Sequence, residues 1–182
     1  MNPAEKVLAE LEKTISLLKQ EEMDKLADAI LSARKIFIAG AGRSGLMGKA
    51  FAMRLVHMGF NAHVVGETTT PGITDEDIFI LGSGSGETKT LLAMATKARD
   101  INATIALVSI FPDSSLGKLA DLTAQLPGAS KEQGEGEYET IQPMGSLFEQ
   151  TLLVFYDALI LALMDKKGLD SHTMLGQHAN LE

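Results

Sequence analysis

The chain has 182 residues, 45% apolar and 22% charged, which suits one globular domain and excludes a disordered chain. Its 16 basic and 24 acidic residues leave a net charge of -8, which argues against a nucleic-acid partner, since that needs a basic face to displace counterions. With no cysteine, disulfides, thiolate metal centres and cysteine nucleophiles are excluded, and a reducing cytoplasm suits the chain.

Ala4, Val7, Leu8, Leu11, Ile15 and Leu18 recur at helical spacing, and Met23, Leu26, Ala27, Ile30 and Leu31 repeat the pattern. Two amphipathic helices are predicted across 4–33. The apolar run 36–39 predicts a first strand, followed by the cluster Gly40-Ala41-Gly42-Arg43-Ser44-Gly45 and a helix over 46–58. Strands two and three are predicted at 62–65 and 78–81. The third meets a second cluster, Gly82-Ser83-Gly84-Ser85-Gly86-Glu87-Thr88, and then a helix with Leu91, Met94, Ala95 and Ala98 on one face.

A fourth strand is predicted at 104–108 and a weaker fifth at 122–126. The polar loop 127–142 contains an acidic stretch, 131–139, which reads either as a solvated loop or as a lid. A long helix follows over about 143–167, and the tail 168–182 shows no period. The apolar run 152–164 includes Asp157 and is shorter than the ~20 residues a membrane span needs. The charged N-terminus has no apolar leader, so a soluble chain without a membrane partner is expected. Strands alternating with helices predict a single α/β domain, 1–182, with a parallel sheet covered on both faces.

Both glycine clusters fall where a strand ends and a helix begins. Free backbone N–H groups and the positive end of the helix dipole make an anion site there. Ser44 adds a hydroxyl donor at the first loop, and Ser83, Ser85 and Thr88 add three at the second, beside the N–H groups of the 84–88 turn. If strands one and three are neighbours, both loops line one crevice. Arg43 could grip a phosphate through its guanidinium or fold onto the surface. A carboxylate on Glu87 would repel phosphate, so it is expected to point away and support the helix start.

Other readings remain open at this point. Gly40, Gly42 and Gly45 satisfy G-x-G-x-x-G, and Glu67 lies where a ribose-binding acid would. That dinucleotide reading leaves no room for a catalytic domain and no role for the second Ser/Gly loop. A phosphate-binding P-loop fails twice: the spacing from Gly42 to Gly48-Lys49 is wrong, and Ala50 stands where Ser or Thr is needed. Two tight turns without any ligand are the third possibility. Glu149 lies in the early turns of a helix whose later part is apolar; desolvation would raise its basicity toward that of a general base. A glutamate merely favoured by the helix dipole fits the same position.

Of the four histidines, His57 and His63 are expected to be packing or structural residues. His172 and His178 lie in the tail with too few neighbouring ligand types for a metal.

The segment Leu81-Gly82-Ser83-Gly84-Ser85-Gly86-Glu87-Thr88 resembles the signature loop of sugar isomerase (SIS) domains, and Gly40 to Gly45 resemble their first loop. Within that superfamily the chain is similar to the 6-phospho-3-hexuloisomerase family. The match includes Pro143-Met144-Gly145-Ser146-Leu147-Phe148-Glu149-Gln150 and the ending His178-Ala179-Asn180-Leu181-Glu182.

The resemblance implies a three-layer SIS fold with a five-stranded parallel sheet in flavodoxin-like order. It also implies a cytoplasmic homotetramer, no cofactor, and a phosphorylated hexulose as substrate. The implied reaction interconverts 3-hexulose 6-phosphate and fructose 6-phosphate through an enediol, in the ribulose monophosphate route of formaldehyde fixation. Glu149 would accept the proton. His178, often supplied by a neighbouring subunit in such isomerases, would open the ring or shuttle hydroxyl protons. Arg43, Ser44, Ser83, Gly84, Ser85, Gly86, Glu87 and Thr88 would surround the phosphorylated substrate. Gln177 departs from the basic residue that often precedes this histidine. A non-catalytic sugar-phosphate sensor is the alternative from another class, since it would keep both loops without needing a base.

Overall fold

A computed structural model of the chain describes residues 2–129 and 138–180. Two helices come first: α1 (Pro3–Ile15), opened by a capping box between Asn2 and Glu5, and α2 (Gln20–Ser32). Then follow β1 (Ile36–Gly40), α3 (Gly42–His57), β2 (Ala62–Val64), β3 (Ile78–Gly82), α4 (Lys89–Asp100), β4 (Thr104–Ser109) and β5 (Leu122–Gln125). The chain closes with α5 (Ser146–Lys167) and α6 (Ser171–Leu175).

All strand pairs are parallel, in the order β2-β1-β3-β4-β5. This is the expected flavodoxin-like sheet. Alternation along each strand sends Ile36, Ile38, Ile78, Ile80 and Val108 to one face, under α2, α3 and α5. Phe37, Phe79, Leu81, Ile105 and Leu107 go to the other, under α4. The result is a three-layer α/β domain.

Two elements differ from the sequence reading. The first glycine cluster is not a loop before a helix at 46; it forms the first turn of α3, which begins at Gly42 with φ of 57°. The cause is a close approach: a Cβ on Gly45 would lie 2.6 Å from the Gly40 carbonyl oxygen, so glycine lets the helix start directly against the strand end. The tail also contains α6, whose first turn is capped by the Asp170 carboxylate accepting from Thr173 N–H at 2.8 Å. Five residues are too few for a periodic signal.

By length and composition the 22-residue α5 could cross a membrane. Here it is the central helix of one layer. Phe148, Leu152, Phe155, Tyr156, Leu159 and Leu163 are buried along it, while Leu161 is 66% exposed. One chain therefore does not cover every side of this helix. On the exposed line Leu161 stands between Asp157 and Asp165.

At the other end of the sheet, buried Asp77 accepts from Thr74 N–H at 2.7 Å, from the Thr74 hydroxyl at 2.9 Å, and from Lys35 Nζ at 3.1 Å. Burial alone would raise its pKa, but the Thr74 bonds and Lys35 together bring it below the ordinary value. A depressed folded-state pKa contributes stability above the unfolded value of about 4, and that contribution is lost as pH falls through the folded value. Melting temperature should thus fall more steeply below about pH 4 in the parent than in Asp77→Asn. Parallel acid profiles of the two proteins would reverse this assignment.

Candidate functional site

The strand order reverses between β1 and β3, whose last residues, Gly40 and Gly82, pair side by side. Loops leaving those strand ends face one crevice, where ligands gather in open parallel sheets. A cavity of about 690 Å³ occupies it, lined in part by Ser44, Ser83, Gly84, Ser85, Glu87, Thr88 and Glu149. Most of the predicted site residues therefore converge.

The second loop is organised by its own hydroxyls. Gly86 N–H donates to Ser83 Oγ and Glu87 N–H to Ser85 Oγ, each at 3.2 Å. Each serine oxygen is fixed as an acceptor, which leaves its O–H proton available to a ligand. Two of the N–H groups expected to serve a phosphate directly are thus spent on positioning these hydroxyls. Thr88 caps α4 in extended backbone, its hydroxyl 3.5 Å from Ser83 Oγ, at the positive end of the helix.

Gly86 is buried behind the lining with φ of 66°, and a Cβ there would fall 1.9 Å from Ser114 Oγ. Among the described residues no lysine or arginine lines the cavity. The donors at this end of the cavity are neutral hydroxyls and a helix end.

Glu87 turns its carboxylate to the loop after β4, in keeping with the expectation that it points away from an anion. Its carboxylate accepts from Ser115 N–H at 2.7 Å, and the Ser115 backbone and hydroxyl hold its pKa below the ordinary value. It braces the loop after β4 against the second glycine cluster. That loop was missed in the sequence, although Ile110, Phe111, Asp113 and Ser114 line the cavity. Its signal was the turn Pro112-Asp113-Ser114-Ser115 just past β4, the strand beside β3.

Glu149 stands in the first turn of α5 and is 6% exposed. Its carboxylate meets Arg43 Nη1 at 2.7 Å, and the same Nη1 donates to Ser146 Oγ at 3.0 Å. The sequence left Arg43 either gripping a phosphate or lying on the surface. The start of α3 at Gly42 instead turns it toward the first turn of α5, where it neutralises a carboxylate that would otherwise be buried unpaired.

His178 does not reach this cavity within the chain. It lies in a separate hollow of about 460 Å³ with Arg54, His57, Asp157 and Leu161, its ring 5.1 Å from that of His57. Its Nδ1 lies 2.9 Å from the Ala179 carbonyl. A carbonyl only accepts, so Nδ1 is the donor in this contact.

His57 is buried, as expected of a packing residue, and Arg54 donates to its Nδ1 at 3.3 Å. Burial first, then His178 and Arg54, push its pKa down. His63 pairs with Asn61 and leans on Phe37. Glu67, the acid of the dinucleotide reading, pairs with Lys49 at 2.8 Å and lies outside the cavity lining. Among the described residues no group of three His, Asp or Glu could hold a metal ion. Most of the acidic stretch, residues 131–137, lies outside the described residues.

Residues 29–154 match the SIS domain family. Over 176 residues the chain is 60% identical to the 3-hexulose-6-phosphate isomerase of Bacillus subtilis (strain 168), across 97% of this chain and 95% of that one. It is 42% identical over 162 residues to the enzyme of the same name from Methanocaldococcus jannaschii, across 89% and 85%. A crystal structure from Methanococcus jannaschii, from which 3-hexulose-6-phosphate isomerase function was inferred, superposes with a TM-score of 0.81. Its sequence identity is 39%, with coverage of 98% of this chain and 96% of that one.

Proposed function

This chain belongs to the SIS domain family, and we propose that it interconverts 3-hexulose 6-phosphate and fructose 6-phosphate, with Glu149 as the base that moves the proton. It is an isomerase of the ribulose monophosphate pathway, as its full-length likeness to 3-hexulose-6-phosphate isomerases supports. The observation that carries the mechanism is a buried carboxylate and a neutral, hydroxyl-rich anion site lining one cavity.

Moving the carbonyl from C3 to C2 takes a proton from C2 and returns one at C3, through an enediol. One carboxylate facing both carbons can do both. Ser44, Ser83, Ser85 and Thr88 hold the phosphate at the α4 end of the cavity, so the sugar carbons extend toward α5. As the C2 proton passes to Glu149, negative charge appears on the substrate oxygens. Arg43, already beside Glu149, is the counter-charge for it.

We place the protein in the cytoplasm and assign it a homotetramer in which His178 comes from a neighbouring subunit. Leu46 and Met53, each 57% exposed, and Leu161 leave apolar surface for such packing.

Appearance of fructose 6-phosphate from 3-hexulose 6-phosphate is the direct test; its absence with folded protein would refute the reading. A charge-assisted hydrogen bond contributes about 1.5–3 kcal/mol, so Ser83→Ala or Thr88→Ala should weaken fructose 6-phosphate binding at least about tenfold. Unphosphorylated fructose should be affected far less. Equal losses by calorimetry for both ligands would remove the phosphate assignment.

A further inference from the structure

α1 adds little to the core. Thr14 is its buried residue, and Leu8 is 64% exposed. Its anchor is polar, and it is made by a residue that neither fold nor cavity required. One oxygen of the Glu10 carboxylate accepts from Ile141 N–H at 2.7 Å. The other accepts from the Thr140 hydroxyl at 2.7 Å and from the Gln142 side-chain amide at 3.0 Å.

Gln142 is itself buried, and its N–H donates to Thr140 Oγ1 at 3.0 Å. Beside this clamp the Thr14 and Tyr138 hydroxyls meet at 3.3 Å, and Lys13 Nζ sits 5.0 Å from the centre of the Tyr138 ring. Burial would raise the Glu10 pKa, yet the three donors outweigh it and the group stays charged. Hydrogen bonds to an ionised acceptor are the stronger kind.

The clamped segment leads directly into the catalytic helix. Between Gln142 and α5 the chain turns sharply, with Met144 in the left-handed region at φ of 55°. Gly145 caps α5 without a side-chain hydrogen bond. The helix start is therefore not fixed by a cap of its own. It is held by Arg43 through Ser146 and Glu149 and, from upstream, by the clamped segment; one turn after the cap stands Glu149, whose N–H donates to the Gly145 carbonyl at 3.0 Å. Gly145 and Glu149 both line the cavity.

We propose that Glu10 is a positioning residue for the isomerase reaction: by holding Thr140, Ile141 and Gln142 it sets the first turn of α5, and so the place of the Glu149 carboxylate against the sugar carbons. This rests on Glu149 being the base. Glu10 touches no substrate; it acts through the 140–145 segment. The N-terminal helix thereby becomes part of the catalytic apparatus, although it contributes nothing to the cavity wall.

The test exchanges donor and acceptor across the clamp. In Glu10→Gln the new amide N–H groups face the Gln142 amide; in Gln142→Glu two carboxylates face each other. The double variant restores one donor against one acceptor. Misplacing a reacting group by about 1 Å can cost up to about a hundredfold. Each single variant should therefore lose at least about tenfold in kcat, with KM for fructose 6-phosphate within about twofold of the parent. The double variant should recover most of the rate. Amide exchange across 141–149 should quicken in the singles and slow again in the double.

A kcat equal to that of the parent in Glu10→Gln would overturn the proposal. So would a lower melting temperature with unchanged kcat, the mark of a merely structural clamp, or a double variant that recovers neither rate nor protection. If the parent protein shows no isomerase activity, the functional reading falls. The exchange data then decide alone: unchanged protection over 141–149 in Glu10→Gln overturns the clamp, and lost protection sustains it. Should Glu10→Gln not fold, Thr140→Ala removes one of the three bonds and is read the same way, with a smaller loss.

Discussion

Glu149→Gln is expected to keep the fold and the affinity for fructose 6-phosphate while turnover falls by about 10²–10⁴, the usual loss for a general base. The amide is the same size and its oxygen can still accept from Arg43, so neither packing nor the ion-pair pocket collapses. What it cannot do is take a proton from carbon. Exchange of solvent deuterium into fructose 6-phosphate, followed by NMR, should therefore stop together with turnover. If only turnover stopped, enolisation would still be occurring, and Glu149 would serve a later step. Activity close to that of the parent would move the base elsewhere, and Asp113 is the natural successor. It also lines the cavity, whereas the Glu87 carboxylate is tied to Ser115.

The parts of this site that were legible in the sequence are those set by local chain chemistry. Ile36-Phe37-Ile38-Ala39-Gly40 and Ile78-Phe79-Ile80-Leu81-Gly82 read as short buried strands, and Gly40 and Gly82 do end them in register. A Ser/Gly turn after each strand then has one place to go, the crevice at the sheet reversal. Arg43 was legible as part of the first cluster, but its pairing with Glu149 was not. Its direction depends on how α3 meets α5, which no local pattern encodes, and on Gly45 letting the helix begin against the strand. Glu10 was invisible for a related reason. On an amphipathic helix one more exposed-looking glutamate carries no signal, and its three donors lie at 140–142.

His178 should prove indispensable, yet replaceable in trans. In the single chain its ring sits beside His57, in a hollow separate from the Glu149 cavity, with Nδ1 donating to the Ala179 carbonyl. The same hollow exposes Leu161 of α5, and Leu175, which also lines it, is 68% exposed. Large exposed aliphatic side chains along a hollow of this kind mark a surface for another protein, and symmetric assembly lets a second copy supply it. If that copy delivers its tail to the first subunit's cavity, His178→Ala should lose about 10²–10⁴ in turnover as an acid–base group. Mixing inactive His178→Ala with inactive Glu149→Gln and reassembling the two should then restore activity. A site pairing Glu149 of one subunit with His178 of another is intact in roughly a quarter of random combinations. Recovery approaching that fraction of parental activity is the expected result, with sedimentation confirming the oligomer. A stable, fully active monomer would sink both the assembly and the shared site. An oligomer that gives no complementation would leave the assembly standing and place the His178 proton transfer within one chain, which would require the tail to swing from His57 to Glu149.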